Sequence, residues 1–139
     1  MTELQFPTTK GSERALLNEY LDWYRAAILR KIEGASDETL RARIVPSQTT
    51  LLGIVKHLAR VEVSWFQIVF AGREVDDPST DDDPDADWRI EAQETTEQII
   101  VSCRDACAES HAIVHATENL DAESVGGGKK YNLRRILTT

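Results

Sequence analysis

The chain has 139 residues, 41% of them hydrophobic and 29% charged, which suits one folded domain whose core needs no staples. A net charge of −8 disfavours nucleic acid and anionic membranes, because binding phosphates takes a cationic surface. No apolar run approaches the roughly 20 residues of a membrane helix, and residues 1–7 have neither the basic start nor the apolar stretch of a secretory signal.

Residues 1–12 read as a mobile N-terminal lead-in, with Ser12 placed to cap the first helix. Leu17, Leu21, Tyr24, Ile28 and Ile32 then recur at helical spacing, with Tyr20 and Trp23 at the flanks, and Gly34 ends the helix. Ser36 followed by Asp37 and Glu38 predicts a short capped helix. Pro46 breaks the chain, and Thr49 or Thr50 caps a second long helix. Its expected buried stripe is Leu51, Ile54, Val55, Leu58, Val61, Trp65, Ile68 and Val69, and Gly72 stops it.

Residues 74–87 are acidic and free of large apolar groups, which predicts a long solvated connection. A third long helix is expected over about 92–120, with Ile99, Cys103, Ala106, Cys107, Ser110, Ile113 and Val114 on its core face. Gly126, Gly127 and Gly128 form a flexible break. Asn132 caps the start of a last helix over 132–139. No segment alternates as a strand does, so the fold class is all-α. A helix start of eight residues is marginal alone, since isolated helices need about 12–15. Three long amphipathic helices would also leave an apolar groove, so either the protein continues past Thr139, which is the favoured expectation, or a partner such as a second copy fills the groove.

Several residues carry candidate chemistry. His57 lies beside Ile54 and Val61 at the edge of the buried stripe, where a histidine can point into a bundle centre and ligate a metal. A core-edge histidine satisfied by one hydrogen bond has the same spacing. His111 and His115 are an i, i+4 pair, but periodicity puts them at or outside the border of the core face, as solvated surface. Asp83, Asp85, Asp87 and Glu94 mimic an EF-hand spacing, with Trp88 where that loop needs glycine. Cys103 and Cys107 sit on the core stripe as small buried hydrophobes, and two such thiols without a signal suggest a reducing cytoplasm. Gly126–128 with Lys129 and Lys130 lack the phosphate-loop spacing.

Residues 13–17 (Glu-Arg-Ala-Leu-Leu), 21–25 (Leu-Asp-Trp-Tyr-Arg), 50–59 (Thr-Leu-Leu-Gly-Ile-Val-Lys-His-Leu-Ala), 61–66 (Val-Glu-Val-Ser-Trp-Phe), 82–89 (Asp-Asp-Pro-Asp-Ala-Asp-Trp-Arg) and 132–137 (Asn-Leu-Arg-Arg-Ile-Leu) follow one another along the chain. Together they resemble the DinB/YfiT-like superfamily, in its actinobacterial branch, and the resemblance spans almost the whole chain. It implies a four-helix bundle with a long crossover and a three-histidine site for a divalent metal, zinc or nickel. His57 matches the first ligand, on helix two. The other two form a His-x-x-x-His pair on helix four, which has only begun by Thr139, so both are expected beyond it. His111 and His115 lie on helix three and do not substitute for them.

The superfamily includes thiol-dependent transferases and isomerases that use mycothiol, bacillithiol or glutathione, mycothiol-dependent maleylpyruvate isomerase among them. The resemblance therefore implies a cytoplasmic, metal-dependent transferase of a low-molecular-weight thiol acting on a small-molecule substrate. The rival reading is a non-catalytic helical protein that dimerises or binds a partner through the groove.

Overall fold

The computed structural model describes residues 10–43, 49–75, 83, 85–126 and 128–138. Most of the lead-in expected over 1–12, and residues 76–82 and 84 of the acidic connection, lie outside them. The elements are α1 (Glu13–Ile32), α2 (Asp37–Arg41), α3 (Leu51–Glu62), a π-helical segment that continues α3 (Val63–Phe70), α4 (Thr96–Ala116) and α5 (Leu133–Leu137). The described residues form no strand, only isolated bridges of Arg43 with Thr50 and Glu123 with Asn132. The all-α expectation holds. Three helical rods are long, and α5, of five residues, stands where the fourth is expected to start.

Each helix start is set by a side chain that accepts an otherwise orphaned backbone N–H. Ser12 accepts from Ala15, Ser36 from Thr39, Thr50 from Gly53 and Asn132 from Arg135. α4 is shorter than the expected 92–120 for the same reason. Thr95 and Gln98 close a reciprocal capping box that fixes its start. At its other end the Arg14 guanidinium donates to the carbonyls of Val114 and Thr117. Gly34 turns the chain after α1 at φ +79°.

Two apolar clusters make the core. The first joins Ile32, Leu40, Leu52, Val55, Ala59, Ile99, Cys103 and Ala106. The second joins Phe66, Phe70, Ile113, Val114, Leu133, Ile136 and Leu137. α5 is therefore held by burial of its three apolar side chains rather than by helix propensity. Between the clusters lies a polar tie across three helices. Arg25 of α1 donates twice to Glu62 at the end of α3, from Nε (2.5 Å) and Nη2 (2.8 Å), and Ser110 of α4 donates to Glu62 Oε2 (2.7 Å).

The α4 face is the expected one, but two stripes differ. Tyr24 of α1 is 57% exposed. It stands with Tyr20, Leu17, Leu21 and Leu137 along an open groove on α1. On α3 the buried residues are Leu52, Val55 and Ala59, followed by Phe66 and Phe70, while Leu51 is exposed. The stripe is offset from the expected one from the start of α3, before the π segment, and the same spacing carries it on to Phe66 and Phe70 instead of Trp65, Ile68 and Val69. Gly126 is not a loose break. Its N–H donates to the Val69 carbonyl (2.8 Å), and a side chain there would strike the Ile68 carbonyl oxygen.

At the start of α3, Gly53 meets the 85–91 loop. A methyl on Gly53 would strike the Trp88 carbonyl oxygen and press on Thr50 Oγ1 (3.0 Å). Gly53→Ala sets two effects against each other. Alanine favours the helix by about 1 kcal/mol, whereas forcing backbone away in a packed contact costs about 1–3 kcal/mol. The clash is with backbone, which cannot swing aside, so the variant is expected to melt several degrees lower. An unchanged or raised melting temperature would contradict this packing.

Candidate functional site

The residues of the α3 face that meets the loop are Gly53, Lys56 and His57, one helical turn apart. The loop enters as a single uncontinued helical turn, with Trp88 and Arg89 N–H groups donating to the Asp85 carbonyl (3.0 and 3.2 Å). Arg89 pairs with Asp83 across that turn (2.9 Å from Nη1). This curl presents Asp87 and Trp88 together to α3. The Trp88 ring stacks on the His57 ring, with centroids 3.7 Å apart and planes 11° apart. His57 donates its Nδ1–H to Asp87 Oδ2 at 2.6 Å.

Asp87 is only 8% exposed, so this contact lies largely out of water. A carboxylate there accepts and cannot donate, which fixes the neutral imidazole as the Nδ1–H tautomer. The lone pair then lies on Nε2. A carboxylate behind a histidine in this way orients the ring and raises its basicity towards a metal ion.

Lys56 clamps the far side of the loop. Its ammonium donates to the Arg89 carbonyl (2.7 Å) and to Glu94 Oε1 (2.8 Å). Glu94 also accepts from the Glu91 N–H (2.9 Å), and the Arg41 guanidinium donates to the Glu94 carbonyl. Burial pushes the Glu94 carboxyl up, but the bonds from Lys56 and Glu91 and the charges of Lys56 and Arg41 outweigh it and hold it below the ordinary glutamate value.

The remaining candidates fall elsewhere. His111 is exposed and its Nε2 lies against Asp22 Oδ1 (2.5 Å), and His115 is exposed too. Both line a cleft of about 380 Å³ with Arg14, Asp22 and Arg25, and His57 takes no part in it. Cys103 is buried and Cys107 half-buried. The hydrogen bond between the two thiols pushes Cys107 up and Cys103 down from the ordinary thiol value. The EF-hand-like acids do not converge: Asp83 faces Arg89, Asp87 faces His57 and Glu94 faces Lys56.

Asp87 corrects one expectation. It closes the stretch read as solvated, yet it is buried against α3. The signal for this was the residue beside it, since a tryptophan in a polar loop must find a surface to cover it. Among the described residues, no three histidine, cysteine or acidic side chains are grouped to hold a metal ion. His57 with Asp87 fits one ligand and its orienting carboxylate, and does not make a full set.

A family model described as mycothiol-S-transferase matches residues 16–139, a span that takes in His57, Asp87, Trp88 and Lys56. No curated protein and no solved structure matches the chain.

The Glu94 clamp has a pH signature. Its carboxyl is held lower in the folded chain than in the unfolded one. Its stabilisation is thus present above the unfolded value of about 4.3 and is lost as the pH falls through the folded value. A half-buried pair of this kind contributes about 0.5–1 kcal/mol. Urea melts of wild type and Glu94→Gln should differ by that amount at neutral pH and converge once the pH has fallen below the lowered folded value. A gap that persists in acid would contradict the ionic origin.

Proposed function

The chain belongs to the mycothiol-S-transferase family, and from that membership we propose that it transfers a low-molecular-weight thiol, mycothiol or a close analogue, to a small-molecule electrophile with the help of a divalent metal, zinc or nickel. The observation that carries the metal part of this reading is the His57–Asp87 pair. The carboxylate fixes Nδ1 as the donor and leaves the Nε2 lone pair for a ligand.

In this reading His57 Nε2 is one metal ligand. Asp87 fixes the ring's tautomer. Trp88 stacks on one face of the ring and sets its plane, and Lys56 and Glu94 hold the loop that carries both. Such an ion, when bound, supplies the positive charge that keeps a thiol ionised at neutral pH. The family name speaks for a small-molecule substrate. No helix among the described residues is long and apolar enough to cross a membrane. The free Cys103 and Cys107 support a reducing compartment, the cytoplasm.

Metal content by inductively coupled plasma mass spectrometry tests this on protein from the full reading frame. Wild type should hold near-stoichiometric zinc or nickel. Asp87→Asn should bind the same metal about 10–100-fold more weakly, and His57→Ala should lose it. Equal metal in all three would overturn the role of His57. No metal in any of them after reconstitution would overturn the metal-dependent reading.

A further inference from the structure

Cys103 and Cys107 take no part in the loop site. They stand one turn apart on the core face of α4, against the apolar cluster that holds Leu52, Val55 and Ala59. Cys103 is 6% exposed and Cys107 half-buried, and both are free thiols. A hydrogen bond joins the two sulfurs.

Two chemistries use such a pair. The first is a disulfide. Its Cβ atoms must lie about 3.5–4.5 Å apart, whereas residues four apart on a helix hold theirs at about 5–6 Å. Oxidation would have to pinch one turn in the middle of a 21-residue helix whose ends are held by a capping box and by Arg14. The second is an ion held between the sulfurs. Metal–thiolate bonds run to about 2.3 Å, so a bridged pair spans up to about 4.6 Å and the helix needs no pinch.

The donor set then chooses the ion. Two sulfurs select soft ions such as copper(I), or zinc, over hard cations. Zinc in a closed site takes four ligands. Glu62, the acid whose charge both thiols feel, is already bonded to Arg25 and Ser110. Among the described residues, no three histidine, cysteine or acidic side chains are grouped for a metal. Copper(I) has a filled shell and accepts two thiolates alone. Its binding releases one proton from each thiol and leaves a complex with one negative charge. Arg25 and Arg104 place positive charge near that complex, against the opposing charge of Glu62. The half-buried Cys107 gives the ion its way in.

We propose that Cys103 and Cys107 form a two-coordinate site for copper(I), separate from the loop site on α3 and independent of the transferase reading.

The test is an anaerobic titration of the protein with copper(I) in competition with a chromophoric copper(I) chelator. Wild type should take one ion per chain, show two sulfur ligands by X-ray absorption and keep its helical circular dichroism. An excess of zinc should not displace the ion. Cys103→Ala and Cys107→Ala should each weaken binding about a hundredfold or more, because one thiolate loses the chelating help of the other. Cys107→Ala, at the half-buried position, decides the matter if Cys103→Ala fails to fold. His57→Ala should bind copper(I) as wild type does, so this inference and the metal-dependent reading fail separately. No uptake against the chelator, nitrogen ligands in the absorption spectrum, displacement by zinc, full binding by a folded Cys107→Ala, or loss in His57→Ala would each overturn the proposal.

Discussion

The approach of the Trp88 backbone to α3 is possible only because position 53 has no side chain, and the geometry of the candidate site follows from it. With the loop seated there, the His57 ring has one face against Trp88 and its Nδ1–H directed at Asp87. The same seating brings the Arg89 carbonyl and Glu94 within reach of Lys56. Burying Asp87 carries a desolvation cost that must be offset by hydrogen bonding. The bond from His57 does part of that, so the loop, the carboxylate and the imidazole hold one another in place.

The seat itself rests on a rigid frame. Arg25, Glu62 and Ser110 lie at one level of α1, α3 and α4, between the two apolar clusters, and so fix the register of the three rods. A carboxylate at that depth is tolerated because it accepts from a guanidinium at two points and from a hydroxyl. Immediately after Glu62 the helix widens into its π segment, where Phe66 and Phe70 pack against α5. The loop before α5 is pinned to the far end of that segment by Val125 and Gly126, whose N–H groups donate to Phe70 and Val69. The frame is thus continuous from the site to the last helix.

Much of this was legible in the chain. Helix starts were readable because Ser12, Ser36, Thr50 and Asn132 are small polar residues standing just before periodic runs. The α4 face followed from period alone, because α4 is regular from end to end. The α3 stripe did not, because apolar residues stand on both sides of it (Leu51 beside Leu52, Leu58 beside Ala59, Trp65 beside Phe66), so period alone does not choose between them. Tyr24 shows a second limit, since an aromatic at helical spacing can lie on an open groove as well as in a core. His57 could be singled out from its position and from the family resemblance. Its partner could not, because Asp87 is 30 residues away and looks like one acid among many until tertiary packing separates it from the rest.

His57 is held by a nearly buried carboxylate that lies against its Nδ1. The central claim is that Asp87 dictates which nitrogen carries the proton. The direct measurement is the long-range nitrogen–proton NMR correlation of the His57 ring in metal-free protein, at a pH where the imidazole is neutral. The account predicts a protonated Nδ1 and a bare Nε2. A ring protonated on Nε2 instead would contradict it.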